Sequence, residues 1–131
     1  MEASLSDAPR GDPALRVTAM PADANPYGDI FGGWLMSQMD MAAGLVAARI
    51  ARGRAVTVAV DSMNFLRAVA VGDEVSVFAN LTRKGRTSLR IEVQAWRRDR
   101  HGDVSEKVTE VAFTFVAVGE DRRPRAIPDP S

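Results

Sequence analysis

NPYGDIFGGWLMSQMD, residues 25–40, runs from a turn-rich loop into an apolar segment and ends on an aspartate. From Phe31 to Ala48, Asp40 is the only charged side chain, although charged residues make up 26% of the whole chain. The pair Gly32 and Gly33 marks the start of a helix, and Gly53, after the basic last turn from Arg49 to Arg52, marks its end. A run of this length and hydrophobicity invites a membrane reading. Ser37, Gln38, Asp40 and Gly44 argue against it, since an aspartate near the bilayer centre costs roughly 2.5–3.5 kcal/mol on insertion scales. The expectation is a soluble helix, not inserted in a membrane, that a sheet wraps and buries on nearly every side.

Beyond Gly53 the period changes. AVTVAVDSMNF (55–65), DEVSVFANLTRK (73–84), TSLRIEVQAWRRD (87–99) and KVTEVAFTFVAV (107–118) are rich in β-branched and aromatic residues, and ALRVTAM (14–20) adds a short strand ahead of the helix. Leu89, Ile91, Val93 and Ala95 alternate with Arg90, Glu92 and Gln94, the pattern of an antiparallel sheet with one covered face. The turn sequences VGDE (71–74), KGR (84–86) and DRHGD (99–103) are expected to join neighbouring strands. The fold class is therefore α+β: five antiparallel strands curled around one long central helix. One helix cannot cover both faces and both edges of such a sheet, so a homo-oligomer is expected to close the remainder. The folded domain spans 14–128, with a flexible tail at 1–13 and a short one at 129–131.

Composition narrows the chemistry. A chain of 131 residues suits one domain. Lys plus Arg and Asp plus Glu both total 17, so no broad field draws the protein to nucleic acid or to an anionic membrane. With no cysteine and one histidine, a disulfide scaffold and thiolate or multi-histidine metal sites are excluded; neither a metal nor another cofactor is expected. No apolar leader follows Met1, which makes the cytoplasm the expected compartment.

On the helix, Gly33, Ser37, Asp40, Gly44 and Ala48 recur at spacings of three and four and share a stripe on which every residue but Asp40 is small. Such a stripe admits a ligand or another helix. The first N–H groups of the helix are unpaired, carry the positive end of its dipole and are unobstructed at Gly32 and Gly33, which meets the requirement for an oxyanion hole. A carboxylate two turns further on is suited to act as general base or nucleophile on a polarised carbonyl. The competing structural role is an Asp that only accepts hydrogen bonds from serine or backbone groups of a neighbouring subunit.

The run NPYGDIFGGWLMSQMD, together with AVTVAVDSMNFLRAVAVGDEV, KGRTSLRIEVQAW and FTFVAVGEDRRPRAIP, resembles the hotdog-fold acyl-CoA thioesterases, in particular the YciA-type acyl-CoA hydrolases, from about Leu15 to Pro128. The resemblance implies a hotdog fold, hydrolysis of fatty acyl-CoA to free acid and CoA, no metal, and hotdog dimers assembled into a hexamer as a trimer of dimers. It implies Asp40 as the catalytic acid, Asn25 as its partner across a subunit interface, and the Gly33 N–H as the donor to the thioester oxygen. Tyr27 departs from the small residue or Asn of many relatives and bears on the acyl tunnel.

Coenzyme A carries a phosphorylated ADP, for which RKGRTS (83–88) offers Arg83, Lys84, Arg86, Thr87 and Ser88, and DRRPR (121–125) offers Arg122, Arg123 and Arg125. Arg97, Arg98 and Arg100 are expected to decorate an exposed hairpin. Phe31 and Trp34 flank the glycines and either line the acyl pocket or pack in the core. His101 lies in a solvated turn, away from the helix, which disfavours a hotdog dehydratase. The rival function is a non-catalytic hotdog module that binds acyl-CoA or serves as an oligomeric scaffold; burying an acid beside Gly32 and Gly33 without use would be costly for it.

Overall fold

The computed structural model describes residues 11–129. Most of the two expected tails, residues 1–10 and 130–131, lies outside the described residues. The chain forms β1 (Leu15–Thr18), one 3-10 turn (Pro21–Asp23), α1 (Gly32–Ala51), β2 (Ala55–Val60), β3 (Glu74–Lys84), β4 (Ser88–Arg98) and β5 (Ser105–Ala117). The strands make one antiparallel sheet in the order β1-β3-β4-β5-β2, and α1 packs across it against β2, β3, β4 and β5.

The alternation in β4 is obeyed: Leu89, Ile91, Val93 and Ala95 are buried against the helix, while Arg90, Glu92 and Gln94 stay partly exposed. From the helix, Leu35, Met39, Ala42, Ala43, Ala47 and Ala51 enter this core, at the three- and four-residue spacing that puts them on one face. The alanines let the helix sit close to the bulky Leu89, Ile91, Phe113 and Phe115.

Four expectations are corrected. The helix is not enclosed, because the sheet covers one flank only: Met36, Met41 and Leu45 are 40–52% exposed, as are Val56, Val58 and Val60 on the edge strand β2 at 38–55%. VGDE does not join neighbours. The order places β2 and β3 on opposite sides of β4 and β5, so residues 61–73 cross from one side of the sheet to the other. The strand expected over 55–65 ends at Val60, and the chain then follows the edge of β5 through single hydrogen bonds, Asp61 N to the Ala112 carbonyl (3.0 Å) and Leu66 N to the Val108 carbonyl (2.7 Å). Arg97 does not decorate the hairpin: it pairs with the buried Asp73 (Nε to Oδ2, 2.8 Å) and with Glu106, and Arg98 pairs with Glu74.

The helix end is also built differently from its sequence signature. The left-handed residue is Arg52 (φ 55°), and Gly53 follows it because Arg125 lies on top: a Cβ at Gly53 would stand 2.7 Å from the Arg125 guanidinium. That guanidinium donates to the Ala51 carbonyl (3.0 Å), an acceptor the end of α1 leaves open, and to the Val118 carbonyl (3.0 Å) just beyond β5.

Candidate active site

A groove of about 280 Å³ opens along α1 where it meets β2. Its walls are Gly33, Met36, Ser37 and Asp40 from the helix, Thr57 and Val60 from β2, and Phe113 from β5. Three members of the small stripe, Gly33, Ser37 and Asp40, thus face one space. The Ser37 hydroxyl is turned back on the Trp34 carbonyl (2.7 Å), leaving Asp40 as the carboxylate of the groove.

Asp40 is half-buried, and its Oδ1 accepts the Thr57 hydroxyl at 2.6 Å. One oxygen is thereby fixed, so the other is presented in a defined direction. Thr57 was not among the residues singled out from the sequence. Its signal was slight: a single hydroxyl in the otherwise apolar AVTVAV. Thr57 is paired with Phe115 just before a register shift between Thr57 and Ala59 in the pairing of β2 with β5. Replacing Thr57 by valine, nearly the same shape, is expected to lower kcat by roughly tenfold to a hundredfold, the worth of one hydrogen bond to a charged group, with KM little changed. Steady-state kinetics of a Thr57→Val protein checks this; an unchanged kcat would leave Thr57 a packing residue.

At the other end of the groove, α1 begins without a side-chain cap on its N-terminus, and Phe31 is the residue before it. A Cβ on Gly33 would meet nothing within 4 Å, so the space beside this amide is open. Gly32 is different: a Cβ there would come within 3.2 Å of the Phe65 ring. The first-turn amides therefore stand at the mouth of a groove whose carboxylate lies two turns down the same helix.

Asn25 is not among the walls of this groove. Its loop closes on itself: Oδ1 accepts the amides of Tyr27 (2.9 Å) and Asp29 (3.1 Å), and the Asn25 amide donates to the Asp29 carbonyl. Two backbone donors on Oδ1 fix the orientation of the side-chain amide and leave its NH2 as the group able to donate elsewhere. The isolated pairing of Ala24 with Ile30 closes the base of the loop, and that of Asp29 with Ala70 pins it to the segment before β3.

The family model of the thioesterase superfamily matches residues 27–103, more than half of the chain. The chain belongs to that superfamily. The YciA acyl-CoA thioester hydrolase of Escherichia coli K12 is 50% identical over 123 residues, covering 92% of this chain and 93% of its own. An acyl-CoA thioester hydrolase of Zymomonas mobilis is 57% identical over 121 residues, 92% of this chain and 81% of that one. The crystal structure of a hexameric thioesterase from Yersinia pestis matches with a TM-score of 0.89 at 47% identity, covering 94% of this chain and all of the other. The architecture found here, five antiparallel strands and one helix, is the hotdog fold.

The remaining candidate residues of this thioesterase-superfamily chain fall elsewhere. Tyr27 stands in solvent at the tip of the Asn25 loop, Phe31 is half exposed at the helix entry, and Trp34 packs partly against the core. The two basic segments are brought side by side, because residues 123–128 fold back along the β3–β4 turn: Ile127 N donates to the Arg86 carbonyl (2.8 Å) and Lys84 Nζ to the Pro128 carbonyl (3.2 Å). Ala117 N bonds the Thr87 carbonyl in the same region, and Ser88 opens β4. Arg83 and Arg86 are exposed there and Arg122 and Arg123 are exposed on the turn that follows Gly119, whereas Arg125 is taken up in closing the end of α1. Among the described residues, no helix is long and apolar enough to cross a membrane.

Proposed function

We propose that this chain hydrolyses acyl-CoA thioesters to a free acid and CoA, with Asp40 as its catalytic acid. The observation that carries the reading is the carboxylate held by Thr57 at 2.6 Å in a groove that begins at the free amide of Gly33. In the reaction the Gly33 N–H receives the developing oxyanion, while the free oxygen of Asp40 either takes a proton from the attacking water or attacks the carbonyl itself. In both routes a C–O bond forms, the C–S bond breaks, and CoA leaves as the thiolate and is protonated; where Asp40 attacks, water then hydrolyses the mixed anhydride, releasing the acid and restoring the carboxylate. A thioester needs little more than this, since sulfur donates weakly to its carbonyl and the preorganised donor supplies the larger part of the stabilisation.

Asn25 completes the site from a second protomer. The closed Asn25 loop, which holds Oδ1 and leaves the NH2 able to donate, and its absence from the groove of its own chain both support this. As a donor it orients the thioester oxygen or the water. The exposed apolar residues of α1 and β2 support pairing between copies, and a hexamer like that of the Yersinia pestis relative accommodates it. The nucleotide of CoA is held by the exposed cations Arg86, Arg122 and Arg123 near the β3–β4 turn.

The test is release of free CoA from a series of acyl-CoAs by three preparations: wild type, Asn25→Ala and Asp40→Asn. Wild type is expected to turn over and each variant to be nearly dead. Mixing the two variants and exchanging subunits should restore part of the activity, because some interfaces recover an intact Asn25 facing an intact Asp40. Wild type that releases no CoA from any member of the series refutes the reading. Exchange verified by mass without recovered activity refutes the shared site.

A further inference from the structure

Phe65 is a large apolar side chain left 46% exposed, yet the backbone on both sides of it is fixed. The Asn64 carbonyl accepts the hydroxyl of the fully buried Thr109 at 2.7 Å, and the Leu66 amide donates to the Val108 carbonyl at 2.7 Å. Both anchors are on β5, so the loop cannot lift the ring without breaking bonds to the centre of the molecule. The ring itself rests on the first turn of α1. A Cβ on Gly32 would stand 3.2 Å from its Cζ and 3.3 Å from its Cε2, closer than carbon atoms normally approach. Gly33, a wall of the groove, is the next residue along. Met36 and Val60 are apolar walls of the same groove as Gly33. A held aromatic ring at the donor end of an apolar groove forgoes the free energy of burial until something apolar lies against it.

We propose that Phe65 is a specificity-determining residue: its ring, seated on Gly32 one residue before the groove wall at Gly33, sets the bulk of acyl chain that can lie beside a carbonyl held at Gly33. This rests on the thioesterase reading and adds the element that selects the acyl group. It also explains Gly32: a side chain at that position would collide with the ring that defines the space.

The measurement is kcat/KM for short-chain and long-chain acyl-CoAs with wild type, Phe65→Leu, Gly32→Ala and the double variant, alongside the oligomer mass of each. Losing the ring should shift the long-to-short ratio towards long chains by about tenfold or more, the discrimination carried by one or two methylenes in an apolar pocket. Gly32→Ala should depress kcat for every substrate, and Phe65→Leu added to it should recover most of the loss by making room for the new methyl. An assembled Phe65→Leu protein with an unchanged ratio overturns the proposal, as does a Gly32→Ala defect that the second change does not relieve. A changed oligomer mass with an unaltered ratio also overturns it, by making the ring an interface residue. Phe65→Met, close in volume and unbranched, replaces the leucine variant if that one fails to assemble. Wild type inactive on all acyl-CoAs would refute the thioesterase reading itself, an outcome distinct from an active enzyme whose profile ignores Phe65.

Discussion

Exchanging Asp40 for asparagine is expected to lower kcat by about three orders of magnitude, within the range of a lost general base or nucleophile, while the protein folds and assembles as before. Asparagine keeps the shape of the side chain and an oxygen that can accept the Thr57 hydroxyl, now seen at 2.6 Å. What it lacks is the negative charge and the basic oxygen facing the groove. The neighbours on that face, Gly33, Ser37 and Gly44, are small, so no packing depends on the carboxylate. The loss should appear in kcat with melting temperature and oligomer mass unchanged, which separates chemistry from stability. An assembled Asp40→Asn protein that retains the wild-type rate would sink the assignment and revive the binding-module alternative.

Replacing Asp73 by alanine is expected to destabilise the protein by about 3 kcal/mol, because it strands a partly buried guanidinium and a backbone amide together. Asp73 is 3% exposed and accepts Arg97 Nε at 2.8 Å and the Ala70 amide at 2.9 Å. Through these bonds it ties the start of β3 to the end of β4 and to the chain segment that crosses the sheet. Arg97 is held above its ordinary arginine value, first by the hydrogen bond with Asp73, with burial opposing and the charges of Asp73 and Glu106 adding to the rise. A raised arginine contributes stability that is complete below its unfolded pKa and lost only as pH rises through the higher folded value, so this contribution stays constant across the neutral range. The melting temperature at fixed protein concentration should fall by about 10 °C for a chain of this size. Arg98→Ala is the control: its pair with Glu74 at 2.8 Å is more exposed and should matter by less than about 1 kcal/mol. Equal effects of the two substitutions would mean that burial of Asp73 does not set the energetics.

By itself the sequence determined what depends on short spacing. The helix from Gly32 to Ala51, the inward alternation of Leu89, Ile91, Val93 and Ala95, and the placing of Asp40 two turns beyond a pair of glycines all follow from periods of 3.6 and 2 within one segment. The need for a partner was legible in the excess of apolar residues over the surface one helix and one sheet can hide, even though the degree of helix burial in a single chain was not. The tertiary structure decided every contact between distant segments. Thr57 reaches Asp40 because β2 lies at the far edge of the sheet, against α1. Phe65 rests on Gly32 because β5 anchors its loop on both sides, and Arg125 closes the helix because the C-terminal segment folds back over Gly53. Arg97, one of a run of basic residues beside a turn, becomes half-buried only because Asp73, just before β3, and Glu106 of β5 converge on it. Local periodicity records which face a residue takes; which other face it meets is set by strand order and register, and a charge or a ring acquires its role from that meeting.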